Sequence, residues 1–130
     1  MTTIFEIENT IKDMIKEDLD NVNIYLGTPQ SFLNGTNNNK LPCILVSYTG
    51  AEPYKDLYPG TLSFSVFFLN KNFKDSREEV YQLMEKVFNK LQHSLTEKLN
   101  SGLKLRADKL DYEDINFLIF SQQWTCTELI

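Results

Sequence analysis

LPCILVSYTG (41–50), AEPYKDLYPG (51–60), TLSFSVFFLN (61–70) and KNFKDSREEVYQLMEKVFNKL (71–91) form the stretch that decides the fold. Cys43 to Thr49 is nearly all apolar, which predicts a central strand covered on at least one face. Pro42 stands just before it, where a missing N–H costs least. Gly50 to Tyr54 punctuates the run, and Tyr58-Pro59-Gly60 is a turn signal that launches a second strand. In that strand Leu62, Phe64, Val66 and Phe68 share one face, while Thr61, Ser63 and Ser65 take the other until Phe67 and Leu69 join them. The two strands are expected to pair antiparallel across a long loop, Gly50 to Gly60, rather than a tight hairpin. A helix follows from about Ser76, with Ser76 and Glu79 spaced as a capping box. Val80, Leu83, Met84, Val87 and Leu91 form its buried stripe, flanked by Tyr81 and Phe88. Leu95 and Leu99 keep the register, so the helix is expected to run on to Asn100-Ser101, with Gly102 as its stop.

Outward from this core, Ile4, Ile7, Ile11, Met14, Ile15 and Leu19 recur at helical spacing, opposite Glu6, Glu8, Lys12, Asp13, Lys16 and Glu17. That is an amphipathic helix, with Thr2 or Thr3 available as N-cap. Val22, Ile24 and Leu26 alternate with polar positions as a short strand. Gly27 to Lys40 reads as a long surface loop carrying Phe32 and an Asn-rich tract. Leu103, Leu105 and Ala107 form a short strand, and Asp108 to Asp114 reads as a charged loop. Ile115 to Leu129 is the last and longest strand, with an edge free to pair. The order α-β-β-β-α-β-β predicts one α+β domain over residues 1–130. Its core is a mostly antiparallel sheet of four to five strands packed with two helices.

Composition narrows the functional classes. At 130 residues with 42% apolar content, the chain can bury one ordinary core without staples. A net charge of −5 argues against wrapping nucleic acid, which needs clustered Lys and Arg. The chain opens on an amphipathic, acid-rich segment rather than a secretion signal, and its apolar runs are too short to span a bilayer. Cytoplasmic synthesis is therefore expected. Cys43 and Cys126 both lie in apolar runs and read as small buried hydrophobes.

No constellation of residues points to bond chemistry. His93 is the only histidine and reads as a solvated helix-end residue. Asp108, Asp111, Glu113 and Asp114 lack cation-loop spacing, and neither a G-x-G-x-x-G nor a Walker sequence is present. No catalytic, metal-binding or cofactor-binding residue is assigned, and no enzyme activity is expected. Tyr54, Leu57 and Tyr58 suit protein contact, because tyrosines on a proline-stiffened loop bury area at low entropy cost. With Phe32, Phe73 and Trp124 they form the candidate subunit or partner interface.

At this point the chain resembles the tail-completion family of Mu-like bacteriophages. Leu41-Pro42-Cys43-Ile44-Leu45-Val46-Ser47-Tyr48-Thr49-Gly50-Ala51 is similar to that family's LPaVlVxYxGA strand and turn. The resemblance extends to the N-terminal helix Ile4 to Leu19, the strand Phe64 to Phe68 with its exit Asn70 to Phe73, the helix Arg77 to Leu91, and the final strand Ile115 to Thr127. The chain departs from the pattern at Asn34–Asn39 and Lys55–Leu57, which are not carried over as shared interface. The resemblance implies a structural protein that closes the tail tube with a ring, commonly a hexamer, and presents a surface to the head connector. Its partners would be itself, the tube and the connector, with no sequence-specific nucleic acid and no membrane. Its place would be the host cytoplasm during assembly, then the virion tail or neck. A neck or head-closure adaptor and a non-viral cytoplasmic binding module are the competing expectations.

Overall fold

The computed structural model describes residues 4–19, 21–30, 41–93 and 102–128, and only the backbone of Tyr54, Leu57, Tyr58, Pro59, Thr127 and Glu128. Among the described residues it forms an α+β domain with two helices and a five-stranded mixed sheet, in the order read from the sequence. Helix α1 spans Ile4–Asp18, β1 Asn23–Leu26, β2 Cys43–Tyr54, β3 Leu57–Lys71, α2 Ser76–Leu91, β4 Lys104–Glu113 and β5 Phe117–Glu128. Strands lie in the order β1-β2-β3-β5-β4. β1 runs parallel to β2, and every other pairing is antiparallel.

Alternation along the strands decides which face carries the helices. Ile44 and Val46 of β2, Leu62 to Phe68 at even positions of β3, and Leu118, Phe120, Trp124 and Cys126 of β5 point to one face. There they meet Ile7, Ile11, Met14 and Ile15 of α1 and Val80, Leu83, Met84, Val87 and Leu91 of α2. Each helix spends its apolar stripe in this layer. Lys90 of α2 clamps the pair from outside through Glu17 at 2.8 Å and Asp18 at 3.8 Å. On the other face a smaller cluster of Cys43, Leu45, Leu69 and Ile119, backed by Tyr25, Leu41 and Phe67, explains why both faces of β2 and of the end of β3 are apolar in sequence.

Two polar side chains complete the helix-side core. Buried Gln122 donates from Nε2 to the Met84 carbonyl at 3.1 Å, and its Oε1 accepts from Trp124 Nε1–H at 3.2 Å. It ties α2 to the sheet while satisfying the indole. Glu8 of α1 accepts the Tyr48 N–H at 2.7 Å. β1 stops pairing at Leu26↔Val46, so Tyr48 looks past the end of β1, and the carboxylate supplies the missing acceptor.

Five expectations need correction. Gly50 to Gly60 is not a long loop, because β2 and β3 continue to a two-residue turn with Tyr54 opposite Leu57. Lys55 and Asp56 take φ of 51° and 63°, the paired positive φ values of a type I′ turn. Gly50 instead marks a bulge in β2, where its φ of 153° is what an L side chain resists, since the space around it is open. Asp108 to Glu113 is strand rather than loop, and β4 is the sheet edge. The last strand is accordingly flanked on both sides, by β3 and β4. Helix α2 ends at Leu91, and His93 adopts φ 60° just beyond it. Gly102 serves close approach to the His93 backbone, where a Cβ would sit 3.2 Å from its atoms. The expected capping box does not form: Ser76 Oγ accepts the Phe73 N–H, and Asp75 caps only through its carbonyl, which accepts the Glu79 N–H. The expected N-cap Thr2 or Thr3 and the Asn-rich tract lie outside the described residues.

Candidate functional site

The sheet face opposite α1 and α2 bends into a groove of about 870 Å³. Phe67, Phe117 and Ile119 give it an apolar floor. Ser65 and Gln123 cross that floor as a hydrogen-bonded pair, Ser65 Oγ donating to Gln123 Oε1 at 2.9 Å. Pro29 and Gln30 stand at one rim, and Lys109, Asp111, Tyr112 and Asp114 at the other. Lys109 and Asp111 face each other at 3.6 Å.

The rim is built by one carboxylate. Asp114 accepts N–H bonds from Asn116 at 2.7 Å and Phe117 at 2.8 Å, and the Tyr112 hydroxyl at 2.5 Å. This closes the β4–β5 turn as an Asx turn. The Tyr112 hydroxyl, then the two backbone N–H groups, hold the Asp114 carboxyl below the usual carboxylate range. The same bond pushes Tyr112 above the ordinary phenol value. Donors and acceptors here are spent on each other rather than aimed at a reacting atom.

Among the described residues, reactive groups do not converge elsewhere. Burial pushes the Cys43 thiol up to about 12, so it stays protonated and poorly nucleophilic near neutral pH. Cys43 and Cys126 lie on opposite sheet faces, in strands that are not neighbours, and neither is disulfide-bonded. The β4 acids also diverge. Register puts Asp108 and Glu113 toward the helix side and Asp111 with Asp114 at the opposite groove. Among the described residues no group of three His, Cys, Asp or Glu side chains could hold a metal ion. His93 is exposed beside Gln92 at the end of α2.

The candidate interface residues separate. The backbone of Tyr54, Leu57 and Tyr58 forms the far end of the β2–β3 hairpin, past the last β3–β5 pair, Gly60↔Glu128. Phe32 lies outside the described residues. Phe73 is 69% exposed in the turn after β3. Trp124 must be withdrawn as a contact residue: it is 1% exposed, on the helix side of β5 with its indole committed to Gln122. Its position in the alternation with Leu118, Phe120 and Cys126 already indicated core.

The structure adds exposed apolar groups that sequence reasoning missed. Ile115 is 90% exposed in the turn that receives the Asn72 bonds, Nδ2 to the Asp114 carbonyl at 2.6 Å and N–H to the Asn116 carbonyl at 2.9 Å. Phe73 and Ile115 therefore crown two turns that are bonded together. Tyr81, Phe88 and Leu110 are 48%, 36% and 45% exposed on the helix side. The spacing of Tyr81 and Phe88, i and i+7 beside the buried stripe, was the available signal.

Neither the protein-family models nor the curated proteins contain a match to this chain. No described helix is long and apolar enough to cross a membrane.

Proposed function

We propose that this chain is a structural subunit of a phage or prophage tail, a terminator that assembles as a ring on the end of the tail tube and joins it to the head. The family resemblance of the 41–51 strand and turn supplies the identity of the assembly. The observation that supports the reading is that the sheet carries a protruding hairpin at one end and exposed apolar side chains at the other. At one end the β2–β3 hairpin reaches beyond its neighbours. At the other, Phe73 and Ile115 are exposed on linked turns. A cap seated between two bodies needs two such surfaces.

The sheet edges suit a ring. A ring is a closed heterologous assembly, so one patch must meet a different patch on the next copy. β1 covers only Cys43 to Val46 of β2, so among the described residues the outer side of the hairpin has no strand neighbour. β4 is a different kind of edge, exposed along most of its length, charged, and twice interrupted by register shifts. Those features blunt indiscriminate strand pairing. The subunit would act by shape, in the host cytoplasm during assembly and then in the tail or neck.

The test is hydrodynamic and microscopic. The wild-type protein, mixed with its tail tubes, is expected as a multi-subunit ring on one end of tubes of defined length. Tyr54→Ala with Tyr58→Ala should disrupt ring formation or joining. Unchanged oligomer size and unchanged joining would remove the hairpin from the interface. A ring bound to the head connector but never to tubes would make the protein a neck adaptor.

A further inference from the structure

The helix layer leaves part of its own sheet face uncovered. α1 packs over β1 and β2, and α2 over β3 and β5, but no described helix lies on β4. The space between α2 and β4 is a groove of about 420 Å³, lined by Tyr81, Met84, Glu85 and Phe88 from the helix and Leu105, Asp108 and Gln122 from the sheet. Leu110 continues the apolar wall along β4 on the same face.

Its aromatic groups are exposed yet held. Tyr81 packs edge-on against buried Phe120, with ring centres 5.4 Å apart. Phe88 leans on buried Trp124 at 6.2 Å. The Arg77 guanidinium lies 5.6 Å over Phe120 and pairs with Glu113, which closes one end of the groove. Aromatic rings already fixed by the core lose little freedom on binding, which is the character of an anchoring surface.

Charge selects the occupant. Glu85 on the helix wall and Asp108 on the strand wall have no ion-pair or hydrogen-bond partner among the described residues. Register turns Lys104 and Lys109 to the other face of β4, and Arg106 bonds Thr125 there. The groove is thus apolar along its floor and negative at both walls.

We infer that this groove docks an amphipathic helix of a partner protein, apolar on one face and bearing Lys or Arg at its margins, laid beside α2 as the third helix of the layer. α2 is about 24 Å long, so three to four turns of a partner helix can lie alongside it. A second copy of this chain is the poorer donor, because both described helices bury their apolar stripes in their own core. The inference does not depend on the tail reading.

The probe is a labelled synthetic helix of about 14 residues, with Leu at i, i+3, i+4 and i+7 and Lys on the flanks. Fluorescence anisotropy on the full chain should show binding, with amide shifts confined to residues around Tyr81, Glu85, Phe88, Leu105 and Asp108. Glu85→Lys with Asp108→Lys should weaken it at least tenfold and restore binding to a peptide carrying Glu in place of Lys. Glu85→Gln with Asp108→Asn gives the same loss in milder form, and both pairs lie at solvent-facing positions. Absence of binding, equal binding to both charge states, or shifts on the sheet face opposite α1 and α2 would overturn the inference. So would self-association abolished by Phe88→Asp, which would assign the groove to a second copy.

Discussion

Gln122 offers the sharpest test of how the core is held. It is 1% exposed and makes two hydrogen bonds, one to the α2 backbone and one to the indole of Trp124. Gln122→Leu keeps the volume but leaves the Trp124 N–H buried without an acceptor, at a cost of about 1–3 kcal/mol. The Met84 carbonyl keeps its place in the helix ladder, so its loss is smaller. We expect about 2 kcal/mol for the single change, and a fall in melting temperature of about 8 °C for a domain of this size. Trp124→Phe orphans the Gln122 carbonyl and also removes ring volume. Combining the two removes both halves of the bond, so the double variant should be about 1–2 kcal/mol more stable than the sum of the singles predicts. Guanidinium unfolding should be followed by circular dichroism, because Trp124 is the only tryptophan. Costs that add to within about 0.3–0.5 kcal/mol would show that the pair is not coupled.

Other consequences follow from single contacts. Glu8→Ala should cost about 1–3 kcal/mol by stranding the Tyr48 N–H, measured as a shift of the denaturation midpoint without a change in slope. Replacing Lys55-Asp56 by Asn-Gly should stabilise by about 1 kcal/mol, since both positions have positive φ that Asn and Gly tolerate better. Asp114 has its folded carboxyl held low, so its contribution is present above the unfolded carboxylate value and is lost as pH falls through the folded one. Asp114→Asn should therefore differ from wild type at neutral pH and converge with it in acid, in thermal melts taken across that window. Cys43 should resist thiol reagents in the native protein and react at the full rate in denaturant, as its burial and raised value require.

Much of the fold was legible because burial writes its period into the chain. Even positions of β3 and β5 and the stripe of α2 are apolar where the two layers meet, and those assignments stand. The hairpin was missed because Lys55-Asp56 is not a customary I′ pair, and because Pro53 and Pro59 read as interruptions rather than as strand residues. The start of β4 was read from Leu103, Leu105 and Ala107, but its continuation through Asp108 to Glu113 was missed, because a strand segment exposed on both faces has no apolar alternation to read. Trp124 was misplaced by giving its size more weight than its register. The half-exposure of Tyr81 and Phe88 was signalled only by their spacing beside the α2 stripe, and that of Ile115 only by its place in the β4–β5 turn.

The claim that the protein works as an assembled shape is tested most directly by negative-stain microscopy of the purified chain with its tail tubes. The account predicts a ring of subunits capping one end of tubes of defined length. A chain that remains solitary at every concentration, and leaves tube ends bare and lengths unregulated, would contradict it.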